Sequence, residues 1–117
     1  MSWQVIIHPK VENWLIALPE EDYLRTMVAL EILEELGPGL GRPFVDTLKG
    51  SKFKNLKELR PRGNFLRLIF IFDPERKAIV LAAGNKKNQW SHWYRTQIEI
   101  AEKRYEDYLA EMRNYEG

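Results

Sequence analysis

LKELRPRGNFLRLIFIFDPERKAIVLAAGNKKNQWSHWYR, residues 56–95, is the stretch that decides the fold of this chain. It holds an alternating segment at residues 56–61, a nearly unbroken apolar run at residues 65–72 and a third apolar run at residues 78–83. The cluster DPERK separates the second run from the third, and proline-containing clusters of this kind join antiparallel strands. The pattern therefore predicts a three-stranded antiparallel meander with one packed face and one open face.

The segments on either side of the meander predict helices and one further strand. Residues 3–8, WQVIIH, are rich in β-branched and aromatic side chains and predict a strand. Apolar residues at helical spacing predict two helices over residues 9–18 and 20–36, and a third over residues 96–112. The fold class is therefore α+β, with an N-terminal strand and helical hairpin packed on a mainly antiparallel sheet, and a helix at the C-terminus.

Length and composition narrow the class of protein. The 117 residues suffice for one modest core, so we expect a single domain over residues 1–117. The absence of cysteine excludes disulfides and thiolate metal sites. Because no glycine-rich phosphate loop, serine triad or recognised metal-ligand spacing is present, we expect no cofactor and no metal. With neither a signal peptide nor a long apolar segment, the expectation is a soluble cytoplasmic protein with no membrane partner.

The charge of the chain is concentrated in its middle. Although the net charge is +1, residues 42–95 carry thirteen Lys and Arg against four Asp and Glu, a net +9. Residues 1–41 carry −5 and residues 96–117 carry −3. This distribution indicates one anionic partner on one face. The alternative, an ordinary solvated surface, would more often mix its signs.

Basic residues of this segment are interleaved with aromatic ones. Cations contact phosphates and rings stack on bases, so the mixture favours single-stranded nucleic acid. Residues 37–55 form a long loop, rich in glycine and proline, that ends in lysines. The aromatic residues are also candidates for the core, with at least one left as a stacking platform. The side chains that we expect to bind RNA are Lys49, Lys52, Lys54, Lys57, Arg62, Trp90, Trp93, Tyr94 and Arg95.

Five side chains of the basic segment could cut RNA without a metal ion. In such a reaction the 2′-hydroxyl loses a proton, cations stabilise the pentavalent phosphate, and the 5′-oxygen gains a proton. Arg60 and Arg67 suit the phosphate, because a guanidinium can bind two of its oxygens at once. Since a buried strand rarely tolerates a lone arginine, we expect Arg67 on the open face or at the rim of the sheet. Proton transfer would fall to His92, Lys86 or Lys87.

The order and spacing of four segments resemble a known toxin family. The segments are ELR…FLRLIFIFDPERKAIVLAAGNKK, GRPFVDTLKGSKFKNLKELRP, QWSHWYRTQI and IEIAEKRYEDYL. Together they resemble the RelE/ParE superfamily of toxin–antitoxin toxins, and more closely its phage-derived, HigB-like branch. The resemblance covers most of the chain. It implies a small α+β ribonuclease that cuts messenger RNA, usually within the ribosome, and is neutralised by a helix-turn-helix, HigA-like antitoxin.

The resemblance also assigns site residues by position. Arg60 and Arg67 match the basic strand residues of the family, and Lys86 and Lys87 match the basic pair after the glycine of the last strand. Tyr94 is the candidate for the tyrosine that follows this basic pair. Four of these matches, at Arg60, Arg67, Lys86 and Lys87, are also residues that suit the chemistry of RNA cleavage.

The chain departs from RelE proper at one site position. RelE has a lysine two residues before the first strand arginine, whereas this chain has Glu58, and the lysine is displaced to Lys57. The identity of the general base therefore stays open. Two alternatives to a nuclease also stay open, a ParE-like inhibitor of DNA gyrase and a non-catalytic RNA-binding accessory module. Retention of Arg67, Lys86 and Lys87 favours the nuclease, since an inhibitor needs no phosphate-binding residues.

Overall fold

The described part of the chain contains a sheet of five strands. The structure, a computed structural model, describes residues 2–87 and 90–116, without the side chains of Trp90 and Glu116. The strands are β1 Gln4–Ile7, β2 Val45–Thr47, β3 Leu56–Leu59, β4 Leu66–Phe72 and β5 Lys77–Asn85. They lie in the order β1-β5-β4-β3-β2. β1 is parallel to β5, and every other neighbouring pair is antiparallel. The predicted meander is thus β3, β4 and β5.

Three α-helices accompany the sheet in these residues: α1 Pro9–Ile16, α2 Glu20–Leu36 and α3 Trp90–Glu116. Pro9 opens α1, where its missing N–H costs no hydrogen bond, and His8 Nδ1 caps the helix by accepting the N–H of Lys10 at 3.1 Å. α2 ends at Leu36, and Gly37 caps it with a φ of +55°, a backbone conformation that favours glycine. The predicted α+β class, helical hairpin and C-terminal helix are confirmed. None of these helices combines the length and apolar character that a membrane span requires.

The helical hairpin packs on one face of the sheet. Val11 and Leu15 of α1 and Leu30 and Leu33 of α2 are buried there. Their buried partners from the strands are Val45, Leu59, Leu68, Phe70, Ala78 and Val80. Burying an apolar side chain of this size contributes about 1.5–3 kcal/mol. This half of the core therefore holds the hairpin on the sheet.

Helix α3 packs on the opposite face, so the predicted open face is wrong. Trp93, Ala101 and Tyr105 of α3 are buried in that second half of the core. The strand residues in the same cluster are Leu56, Ile69, Ile71, Ile79, Leu81 and Ala82. The physical reason lies in β4, where residues 68–71 are all buried whichever way they point. A strand that is apolar at every position requires cover on both faces.

Two elements differ from their prediction by more than one or two residues at an end. β2 lies inside the segment predicted as a loop over residues 37–55. The sequence does not predict this strand, because its three residues show no alternation and it depends on pairing with β3. α3 begins at Trp90, earlier than the predicted start at residue 96. Its first turns are stabilised by tertiary contact, since Trp93 is 6% exposed.

The close approach of Trp93 to Gly84 of β5 gives a first prediction. A Cβ at Gly84 would stand 2.8 Å from Trp93 Nε1, and the buried indole cannot move aside without opening the contact between α3 and the sheet. We expect Gly84→Ala to lower the free energy of unfolding by about 1–3 kcal/mol in urea denaturation. Gly41→Ala is the control, since a Cβ there meets no atom within 4 Å. Equal stability of the two variants would contradict the proposed clash.

Candidate active site

A cleft of about 310 Å³ opens where β2, β3 and the residue after β5 meet the N-terminal part of α3. Its walls combine predicted site residues with acidic ones. They are formed by Asp46, Thr47, Leu48, Lys49, Glu58, Arg60, Lys86, Tyr94 and Ile98. The fold thus brings together cations that lie far apart in the sequence.

The carboxylate of Glu58 organises the cations around the cleft. Its side chain is 2% exposed, and its Oε1 accepts a hydrogen bond from Arg60 Nε at 2.5 Å and lies 3.8 Å from Arg67 Nε. Arg60 Nη2 also reaches Asp46 Oδ2 at 3.3 Å. Burial alone would lower the pKa of Arg60, but the hydrogen bond and charge of Glu58 raise it above its ordinary value. Because a buried charge is stable only when it is paired, Glu58 requires these guanidinium groups.

Lys86 is a buried lysine at the edge of this cluster. Only 4% of its surface is exposed, and its Nζ lies 5.6 Å from the centroid of the Tyr94 ring. Burial lowers the pKa of Lys86 and the charge of Arg67 lowers it further, although Glu58 acts in the opposite direction. An amine with a lowered pKa is neutral more often near pH 7 and can accept a proton.

Neighbouring aromatic residues of α3 have different environments. Tyr94 lines the cleft, where burial, followed by the hydrogen bond and charge of Glu58, raises the pKa of its phenol to about 12. The phenol therefore stays protonated at neutral pH. Trp93 packs in the core and meets Tyr94 edge to face, with ring centroids 5.1 Å apart. The alternative of a core role is confirmed for Trp93, and the side chain of Trp90 lies outside the described residues.

Arg67 lies on a face of the sheet that α3 covers, so of its two predicted positions, the open face and the rim, the open face is wrong. Its side chain is 13% exposed and does not line the cleft. Nη1 donates to the carbonyl of Leu66 at 2.6 Å, and within the described residues Nε has no hydrogen-bond acceptor. The alternation of β4 puts Arg67 on the same face as Ile69, which α3 covers. Its charge acts on Glu58 and Lys86 from inside the protein.

Besides Arg67, two more of the predicted catalytic residues lie outside the cleft walls. Lys87 and His92 are exposed, and neither side chain lines the cleft. Lys87 Nζ lies over the ring of Phe65, 5.8 Å from its centroid. The structure therefore brings Arg60 and Lys86 into the cleft but not Lys87 or His92.

Some of the predicted RNA-binding residues remain available at the surface. Lys49 lines the cleft, and Lys49 and Arg95 both line a second groove beside it. Lys54 is exposed at the end of the loop before β3. Lys49 and Arg95 thus place positive charge at one side of the cleft, and Lys54 remains accessible to solvent.

Other predicted RNA-binding residues already contact the protein. Lys52 Nζ forms an ion pair with Glu106 Oε2 of α3 at 2.9 Å. Lys57 Nζ donates to Thr47 Oγ1 at 2.9 Å. Arg62 stacks over an aromatic ring that packs on the hairpin side of the sheet. These contacts give Lys52, Lys57 and Arg62 structural partners that the sequence alone does not predict.

Glu58 and Asp46 belong to the site but are not among the predicted site residues. A signal for Glu58 is present in the sequence, because residues two apart in a strand point to the same face, and Glu58 stands two residues before Arg60. No such signal exists for Asp46, since it depends on the pairing of β2 with β3.

Known proteins share the part of the chain that builds this cleft. The model of a family described as "Phage derived protein Gp49-like" matches residues 13–106. This range contains every residue of the cleft walls. The chain belongs to the Gp49-like family.

Relatives extend the match to almost the whole chain. HigB3 of Mycobacterium tuberculosis, a protein named as a toxin, is 46% identical over 106 residues, which are 91% of this chain and 93% of HigB3. HigB2 of the same organism, also named as a toxin, is 44% identical over 108 residues. That match covers 90% of this chain and 54% of HigB2, so the chain spans about half of that relative.

A solved structure agrees with these relatives. The crystal structure of the archaeal RelE–RelB complex from Pyrococcus horikoshii OT3 contains a chain with 26% identity and a TM-score of 0.62. The alignment covers 75% of this chain and 99% of the archaeal one. The predicted resemblance is confirmed: this Gp49-like protein is a RelE-superfamily toxin of a toxin–antitoxin system, of the HigB type.

Positive charge prevails in the cleft of this Gp49-like toxin. Lys49, Arg60 and Lys86 line the cleft together with the two carboxylates of Asp46 and Glu58, and Arg67 adds a further positive charge behind the cleft wall. A cleft with several cations attracts anions, and guanidinium groups can bind two oxygens of a phosphate or of a carboxylate at once.

The role of the buried carboxylate gives a second prediction. We expect Glu58→Gln to lower the free energy of unfolding by about 3 kcal/mol, because an amide cannot balance the charges of Arg60 and Arg67. The pKa of Tyr94, about 12 in the parent, should fall in this variant but remain above the ordinary tyrosine value, since burial is the larger cause. Urea denaturation and ¹³C-tyrosine NMR titration measure the two effects.

The matched control replaces an exposed acid with its amide. Glu35→Gln on α2 should change the free energy of unfolding by less than about 0.5 kcal/mol and leave the pKa of Tyr94 unchanged. An unaltered Tyr94 titration in Glu58→Gln would show that the two side chains are not coupled.

Proposed function

We propose that this toxin is an endoribonuclease that cuts messenger RNA in the cleft around Glu58 without a metal ion. The observation that carries the proposal is the convergence of three groups in one cleft. They are the guanidinium of Arg60, the amine of Lys86 with its lowered pKa, and the protonated phenol of Tyr94. RNA cleavage needs a cation for the phosphate, a base and an acid, and these groups supply them.

Arg60 is the group that we assign to the phosphate. Its side chain is 33% exposed, and the hydrogen bond from Nε to Glu58 fixes the plane of the guanidinium at the cleft wall. Donors of a fixed guanidinium can bind two phosphate oxygens without reorganising in the transition state. Arg67 adds positive charge from the interior.

Lys86 and Tyr94 are assigned the proton transfers. The neutral amine of Lys86 takes the proton of the 2′-hydroxyl, and the 2′-oxygen attacks phosphorus. As the bond from phosphorus to the 5′-oxygen breaks, Tyr94 gives its proton to that oxygen. The products are a 2′,3′-cyclic phosphate and a 5′-hydroxyl. Proton exchange with solvent then restores the neutral amine of Lys86 and the phenol of Tyr94 for the next cut.

The substrate that we propose is messenger RNA on the ribosome. The support is the net charge of +9 on residues 42–95, which exceeds what one cleft needs for one phosphate. Exposed cations such as Lys49 and Arg95 beside the cleft would contact further phosphates of the message or of ribosomal RNA.

The partner that we propose is a helix-turn-helix, HigA-like antitoxin. The archaeal relative was solved as a complex with RelB, which supports a protein partner for this chain as well. Complementary charge favours an acidic or helical element of the antitoxin on the basic segment.

A third prediction tests the nuclease. Expression of the chain alone should arrest growth and translation, and primer extension should map new cuts in messenger RNA. Arg60→Ala should lower the single-turnover rate by about a hundredfold or more, the usual cost of losing a preorganised oxyanion donor. Lys86→Ala should lower it by about a hundredfold to ten-thousandfold, as for a general base.

Controls for this test come from the residues outside the cleft. His92→Gln and Lys87→Ala should cut at close to the parental rate, because neither side chain lines the cleft. Intact messenger RNA together with inhibited DNA supercoiling would identify a gyrase inhibitor instead. Co-expression of the antitoxin should restore growth.

The pH dependence of the rate gives a fourth prediction. Lys86 acts as a base only when neutral, so the single-turnover rate should rise with pH and level off as pH passes the pKa of Lys86, which lies below the ordinary lysine value. Tyr94, with a pKa of about 12, stays protonated throughout an assay between about pH 6 and 9. Lys86→Arg should abolish the rise, because a guanidinium stays charged over this range. A pH-independent parental rate would remove Lys86 from the role of base.

A further inference from the structure

A second groove of about 380 Å³ continues from the cleft along α3. The two share walls at Lys49, Tyr94 and Ile98. Beyond them the groove runs between the loop before β3 and the exposed side of α3. Its remaining lining residues are Gly50, Arg95, Glu99 and Glu102. A volume of this size is within the roughly 300–1,000 Å³ that small-molecule sites occupy.

The loop wall of the groove is attached firmly to α3. Glu102 Oε2 accepts hydrogen bonds from Ser51 Oγ and from the backbone N–H of Lys52, both at 2.8 Å. Next to them, the rings of Phe53 and Tyr105 meet edge to face at 5.0 Å. The ion pair of Lys52 with α3 adds a further tie. The groove is therefore formed before any ligand enters, which reduces the entropic cost of binding.

Three charged side chains of the groove have no partner within the described residues. Lys49, Arg95 and Glu99 are all exposed, and none of them makes a hydrogen bond or an ion pair in the ranges 2–87 and 90–116. Glu102 differs, because its carboxylate holds the loop. The floor at Ile98 is apolar and 9% exposed. The groove thus offers two cations, one carboxylate and an apolar surface.

We propose that this groove binds the nucleotide next to the scissile phosphate and selects guanine through Glu99. The position of the bound nucleotide next to the scissile phosphate rests on the proposed nuclease function. Binding of guanine in the groove does not itself require cleavage. Ile98 would contact the base, while Lys49 and Arg95 would contact its phosphates.

Guanine is the base that matches the chemistry of the groove. Its Watson–Crick edge presents two adjacent donors, N1–H and N2–H, and the two oxygens of a carboxylate accept them together. The other bases lack such an adjacent pair of donors on that edge. A bidentate contact of this kind discriminates between bases by roughly fivefold to a hundredfold or more.

The fifth prediction is tested by NMR titration of the full chain with single nucleotides. 3′-GMP should shift the backbone amide signals of Gly50, Arg95 and Glu99, and should bind at least about fivefold more tightly than 3′-AMP, 3′-CMP or 3′-UMP. Glu99→Gln should abolish this preference, because an amide offers only one acceptor. Glu111→Gln is the control, since Glu111 is an exposed acid of α3 that lines neither the groove nor the cleft.

The outcomes separate the two proposals. Guanine-selective binding that depends on Glu99, with messenger RNA left intact, would keep the nucleotide site and refute the nuclease. The site is overturned if no nucleotide shifts the groove signals, or if all four shift them equally. The site is also overturned if the parent toxin and Glu99→Gln cut messenger RNA next to the same bases.

Discussion

Much of this structure depends on balancing the charge of Glu58 inside the protein. A carboxylate that is only 2% exposed would cost several kcal/mol if it were left unpaired. Arg60 comes from the residue after β3, Arg67 from β4 and the phenol of Tyr94 from α3. The carboxylate therefore joins three elements at one point. Loss of either arginine would leave the charge of Glu58 poorly compensated, and loss of the phenol would remove one of its hydrogen bonds.

Packing, however, supplies most of the energy that holds these elements together. Trp93, Ala101 and Tyr105 attach α3 to the sheet, and burial of each large apolar side chain contributes about 1.5–3 kcal/mol. A buried ion pair contributes little in net terms, because desolvation offsets most of its attraction. The apolar contacts therefore decide that α3 crosses this face of the sheet. The pairing of Glu58 with the arginines then decides which polar groups meet at the edge of the contact between α3 and the sheet.

The sequence predicts the elements of the fold better than it predicts how they cover each other. Local patterns are enough for the meander, the hairpin and the C-terminal helix, because apolar spacing and the Pro and Gly signals lie within each segment. The prediction of an open face of the sheet is wrong because α3 covers that face through long-range contacts, which local patterns do not reveal. The nearly unbroken apolar run at residues 65–72 nevertheless already indicates two buried faces. The same contact decides the site: it buries Arg67 and brings Tyr94 to Glu58. A site residue such as Asp46, which depends on a three-residue edge strand, leaves no local pattern to read.

The contact of Trp93 with Gly84 also fixes how α3 is rotated about its own axis. One residue of an α-helix corresponds to a turn of about 100°. Trp93 and the adjacent Tyr94 therefore point in directions that differ by this angle, one toward β5 and the other toward the carboxylate. Ala101 and Tyr105 of the same helix also pack on the sheet, so an insertion or deletion of a single residue between Tyr94 and Ala101 would turn Trp93 and Tyr94 by about 100° relative to them. The number of residues between these contacts along α3 is consequently constrained.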